Sequence, residues 1–243
     1  MNMESDTSSD SINKQIPTPE NSEPSEISEN SESSESSENK ALANMAHMFS
    51  DVFSPILMST YAVFCVLWFT RYNFIPVNTR WLTVLYVFAI TAFVPALTVF
   101  ILMRLGKVSD TAISDRRQRP LPFAVTALCS LGAYCLVREL GYPDQVAFYL
   151  AAGMFIAIIE GFISLWWKIS AHTAAAGAFL GYAIIMAKLN ILTVNYIWAI
   201  SLMVLLGGLI AWARLYLFRH TPLQVLGGWA LGLVVCMATY YIL

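Results

Sequence analysis

WLTVLYVFAITAFVPALTVFILM, residues 81–103, decides the fold class. These 23 consecutive residues include no charged side chain. A helix needs roughly 20 mostly apolar residues to cross the hydrocarbon of a bilayer. Six further apolar runs accompany this one, near residues 52–70, 121–138, 145–166, 172–188, 196–213 and 221–243. Hydrocarbon offers no water to an unpaired N–H or C=O, so each run must satisfy its backbone internally, as a helix does. Short polar stretches such as RYNFIPVNTR (71–80), ELGYPD (139–144) and KLNILTVN (188–195) separate the runs, so neighbouring helices are antiparallel. The expected fold is all-α: a polytopic transmembrane helical bundle of six to seven spanning helices.

Composition agrees. The chain is 57% hydrophobic and 12% charged, whereas a soluble domain is about 25% charged. Ten of the sixteen acidic residues lie in residues 1–40 beside only Lys14 and Lys40, so this segment carries about −8 and the remainder about +6. The segment is Ser/Glu-rich and nearly free of apolar side chains, which leaves its backbone entropy without a compensating core. A disordered acidic tail over residues 1–45 and a membrane domain over residues 46–243 are expected. The tail lacks the basic start and apolar centre of a signal peptide. Cys65, Cys129, Cys135 and Cys236 sit inside apolar runs without a CxxC spacing, which makes them small packing residues rather than ligands. Gly177 and Gly181, and the pairs Gly207–Gly208 and Gly227–Gly228, let helix backbones approach closely.

The chemistry lies in the loops that follow the second, fourth and sixth runs. Parity puts all three on one face of the membrane. The first contains Asp115, Arg116, Arg117, Arg119 and Pro120; the second Lys168, Ser170 and His172; the third Arg214, Arg219, His220 and Gln224. Guanidinium forks match phosphate oxygens. Histidine serves as nucleophile or general acid near neutral pH. Such a set can hold and transfer a phosphoryl group at a bilayer surface. No carboxylate or histidine cluster suggests a metal or another cofactor, and nothing suggests a nucleic-acid partner.

These loops resemble the three signature motifs of the type 2 phosphatidic acid phosphatase superfamily, the lipid phosphate phosphatases. The family pattern is K-x6-R-P, then P-S-G-H, then S-R-x5-H-x3-D. Arg119–Pro120 match the first motif, Ser170 and His172 the second, and Arg214 and His220 the third with the same five-residue gap. Departures are Ala112 at the first lysine, Ile169 and Ala171 in the second motif, and Ala213 and Gln224 in the third. Arg116 or Lys107 could supply the missing cation. The resemblance implies a phosphoric monoester or diphosphate hydrolase without a cofactor, acting on a lipid phosphate in the bilayer. His220 would attack phosphorus to give a phosphohistidine. His172 would protonate the leaving lipid oxygen and then activate water. Arg119, Arg214, Ser170, Lys168 and Arg116 would bind the phosphoryl oxygens. Gln224 would orient His220 in place of the family's carboxylate, but without its charge.

Two other readings stay open on sequence. One is a homologue that binds a lipid phosphate without efficient turnover, because Gln224 replaces the carboxylate. The other is a membrane prenyltransferase, for which Asp110 and Asp115 would hold a magnesium diphosphate; a second aspartate-rich loop is lacking. Glu160, inside the fourth run, is read as a structural pairing group ahead of a catalytic one. Basic residues count eight to four in favour of a cytoplasmic motif face by the positive-inside rule, but family resemblance favours the other side. A bacterial cytoplasmic membrane is the expected location.

Overall fold

The structure, a computed structural model, describes residues 25–110, 113 and 115–243, with side chains from residue 38. The chain divides into Met1–Lys40 and Ala41–Leu243. The disordered tail expected over residues 1–45 falls, for residues 1–24, outside the described residues. From Ser25 the described chain is helical, as the first part of α1 (Ser25–Val52). Glutamate is a good helix former, so a composition too polar to build a core still permits a helix.

The second unit is a bundle of helices, with no strand among the described residues. After α1 come α2 (Pro55–Phe69), α3 (Val77–Phe88), α4 (Val94–Arg104), α5 (Pro120–Glu139), α6 (Asp144–Ile163), α7 (Ala171–Lys188), α8 (Tyr196–Tyr216) and α9 (Pro222–Ile242). Each of the seven apolar runs is helical, residues 81–103 with a π-turn inside. Among the described residues, five passes are long and apolar enough to cross a membrane, and a sixth counts if Glu38–Val52 and Pro55–Phe69 form one span bent by 63°. The bend falls where Pro55 opens α2. Helix α7 is not one of the five. It is the enclosed helix of the bundle, rich in Ala and Gly, packed against α2, α8 and α9.

Residues 81–103 are not one regular helix. A π-turn, Ala89–Phe93, separates α3 from α4. Pro95 follows directly; its ring lacks an N–H and crowds the carbonyl four residues back, a familiar cause of such bulges. Outward faces carry large exposed apolar side chains, among them Trp81, Leu85, Leu128, Trp198 and Leu205. Such surface is stable only against lipid, and the protein is an integral membrane protein.

Backbones meet most closely where α7 packs on α9. A Cβ on Gly177 would overlap the Trp229 carbonyl, and one on Gly232 would overlap the Ala174 carbonyl. Near the top of this seam Thr173 Oγ1 donates to the Val225 carbonyl at 2.9 Å, and Ser170 N–H donates to the Gln224 carbonyl at 3.3 Å. The first turns of α7 and α9 are thereby fixed side by side. At the opposite end of the bundle an isolated bridge between Thr70 and Leu192 ties two loops together.

Candidate active site

Loop parity predicts that residues far apart in sequence share one face, and the structure places them there. Arg119, His172, Arg214, Arg219 and His220 line a single cavity of about 860 Å³. Its lining on α6 runs from Tyr149 to Glu160, about 16 Å of helix. Phe93, Phe100 and Phe123 supply part of an apolar wall. The cavity is therefore cationic where the loops enter it and largely hydrophobic along the helices.

His220 sits just before α9, and the start of that helix orients it. Thr221 caps α9 and Pro222 occupies its first turn, where a missing N–H costs nothing. The Gln224 side-chain carbonyl accepts from Thr221 N–H at 3.2 Å and from His220 Nδ1 at 3.1 Å. An amide oxygen can only accept, so Nδ1 carries the proton and Nε2 keeps its lone pair. Burial, the nearby Arg214 charge, and more weakly Arg119 and Lys168, push the His220 pKa down to about 3, against the Gln224 bond, which raises it. The ring is neutral at physiological pH. Directly before it, α8 ends with Phe218 in the left-handed region at φ 51°, while Arg219 N–H donates to the Arg214 carbonyl at 3.1 Å. This reversal joins Arg214 to His220 within one cavity wall.

The arginines are anchored by backbone. Arg119 donates Nε to the Ile113 carbonyl and Nη1 to the Ile169 carbonyl, each at 2.9 Å. Its pKa is lowered by burial, with Glu160 and Asp110 opposing. Arg214 donates Nη1 to Ser50 Oγ at 2.7 Å, and its buried Nε has no hydrogen-bond partner among the described residues. Lys168 does not line the cavity but lies within its field: burial first, then Arg119, Arg214 and Arg219, lower its pKa.

The remaining expected site residues are placed differently. Arg116 donates Nη1 to the Leu165 carbonyl at 2.8 Å and is outside the cavity lining. Ser170 is the N-cap of α7, fully buried, and its hydroxyl makes no hydrogen bond among the described residues. Gln224 acts through His220 rather than by lining the cavity. Glu160 lines the cavity with one carboxyl oxygen unpartnered among the described residues.

Ser50, on α1, is a site residue the motifs do not mark. Besides accepting from Arg214, it lies against His172. His172 Nε2 is 3.1 Å from the Ser50 carbonyl and 3.4 Å from its hydroxyl. His47 and Asp51 of the same helix line the cavity. No spacing rule connects a serine to partners 122 and 164 residues away.

Comparison with known proteins gives two matches. The model of the PAP2 superfamily matches residues 118–243. YbjG of Escherichia coli (strain K12), provisionally named an undecaprenyl-diphosphatase, is 36% identical over 74 residues, which are 29% of this chain and 37% of that protein. The chain thus covers little more than a third of that relative. No solved structure matches.

Proposed function

The chain belongs to the PAP2 superfamily, and from that premise we propose that it hydrolyses a lipid phosphate or diphosphate through a phosphohistidine on His220. The observation that carries this reading is the state of His220. Its Nδ1–H is held by Gln224 and its Nε2 is unprotonated, in a cavity shared with Arg119, Arg214 and His172. In the first step Nε2 attacks phosphorus and the bond to the lipid oxygen breaks. His172, entering this step as the imidazolium opposite the bound phosphate, gives that oxygen a proton and is left neutral. In the second step His172 takes a proton from water, whose oxygen attacks the phosphohistidine, releasing phosphate and restoring His220. Arg119 and Arg214 balance the charge that builds on the equatorial oxygens, the main task in phosphoryl transfer. Lys168 adds long-range positive charge, while Ser170 and Arg116 support the loops.

The substrate is a membrane lipid with its phosphate at the surface and its chain along the apolar wall. Phosphatidate, phosphatidylglycerol phosphate, a polyprenyl diphosphate and a lipid A phosphate are the candidates. A polyprenyl diphosphate is the first to assay, given the name of the E. coli relative; a bacterial cytoplasmic membrane is the location that goes with this reading. Inorganic phosphate release from this panel, with magnesium and with chelator, is the test. We expect release from at least one lipid in both conditions, abolished by His220→Ala. Binding without release in wild type would instead support a lipid-phosphate-binding protein, the reading that Gln224 favours. Release only with magnesium would count against the histidine mechanism.

A further inference from the structure

We infer that Ser50, on helix α1 outside the family-matched segment, is a positioning residue that holds Arg214 and His172 in register for phosphoryl transfer. The inference rests on the proposed hydrolysis. Its geometry does not, because one buried residue bridges two groups that come from different helices, α7 and α8. Ser50 is 4% exposed. Its hydroxyl accepts from Arg214 Nη1 at 2.7 Å, and its backbone carbonyl lies 3.1 Å from His172 Nε2.

What this does to Arg214 follows from the shape of a guanidinium. Nη1 points away from the edge that Nε shares with Nη2. With one Nη1 hydrogen held on Ser50, the Nε–Nη2 edge keeps both of its inward hydrogens for a ligand. Its Nε is buried and unpartnered among the described residues, a costly condition that a phosphoryl oxygen would relieve. Arg binds phosphate best through such a two-point contact. Ser50 therefore selects which edge of Arg214 faces the cavity.

The effect on His172 is on the proton. A carbonyl can only accept, so Nε2 must carry a hydrogen and point it at Ser50. This fixes the ring plane and leaves Nδ1 as the nitrogen that exchanges a proton with the leaving oxygen and then with water. The Ser50 hydroxyl, 3.4 Å from the same Nε2, lies between the two groups and spaces acid from clamp. The segment that supplies it is also placed: Ala46, one turn before Ser50, is fully buried, and α2 begins immediately beyond the bend.

The test is a double-mutant cycle on the full chain in detergent micelles, read by steady-state phosphate release and by orthovanadate affinity. Ser50→Ala should lower kcat/KM and weaken vanadate about tenfold or more, as expected for loss of a hydrogen bond to a charged group. Ser50→Thr, which keeps the hydroxyl, should stay within a few-fold of wild type in both. In an Arg214→Ala background Ser50→Ala should have little further effect, because its consequence passes through the guanidinium. Full effects of Ser50→Ala in that background, or wild-type values for Ser50→Ala alone, would overturn the inference. So would a rise in rate, which would make Ser50 a plug in the phosphate site. If Ser50→Ala does not fold, Ser50→Cys replaces it, with the same expected losses. Wild type that binds vanadate in a Ser50-dependent way yet releases no phosphate would sink the hydrolytic reading and leave the anchoring intact. Wild type that binds no vanadate would sink the inference itself.

Discussion

At the residue scale the site turns on how a neutral amide replaces a charged group. Gln224 uses one oxygen for two tasks, capping α9 through Thr221 and holding Nδ1 of His220. Gln224→Glu keeps the reach of both bonds and adds a negative charge beside the ring. A carboxylate there should stabilise the cationic phosphohistidine and raise turnover, about tenfold for each 1.4 kcal/mol gained. It should also raise the His220 pKa from about 3. The ring attacks only in its neutral form, so activity is lost as pH falls through that pKa. The acid limb of kcat/KM, which reports the free enzyme, should therefore move to higher pH in the variant. A pH profile of both proteins on one lipid substrate checks this, and an unmoved limb with lower turnover would mean that another group supports His220. The motif residues were legible because chemistry restricts them: few side chains other than His and Arg can do this work, and the third-motif gap is specific. Ser50 was not legible, because a serine on an amphipathic helix has many uses and its partners are set only by tertiary packing.

At the scale of elements, the α7–α9 seam is what keeps the two motif histidines at one cavity. Gly232→Ala should lower thermal stability by about 1–3 kcal/mol, the usual cost of overpacking, since the overlapping atom would be the backbone carbonyl of Ala174. Phosphate release should fall with it, because α9 positions His220 from its first turn. Gly208→Ala, where a Cβ meets open space, should leave both unchanged; thermal unfolding in detergent compares the two. The sequence suggested close packing at these glycines but not which helices meet. Residues 81–103 show a similar limit. Their apolar length predicted a crossing, yet hydropathy does not register the missing N–H of Pro95, and the π-turn before it was invisible to that measure.

For the whole molecule, loop parity was the most productive inference, since counting crossings placed three loops on one face and the cavity collects residues from all of them. Sidedness relative to the cell follows from the same geometry. In a cysteine-free background, Arg117→Cys, exposed on the motif face, and Asn73→Cys, exposed on the other, should differ in reaction with a membrane-impermeant maleimide. We expect Arg117→Cys to be labelled in intact cells and Asn73→Cys only after lysis; the reverse pattern would put the site in the cytoplasm. The cations around the cavity have a further consequence. Arg119, Lys168, Arg214 and Arg219 repel one another when no anion lies between them, a repulsion that, after burial, helps lower the Lys168 pKa. A bound anion removes that repulsion in the native state alone, and mass action then favours folding. The product of the proposed reaction is such an anion. On the proposed hydrolysis, orthophosphate would be both a brake on turnover and a brace for the fold, and the protein would be sturdiest when its work has just been done.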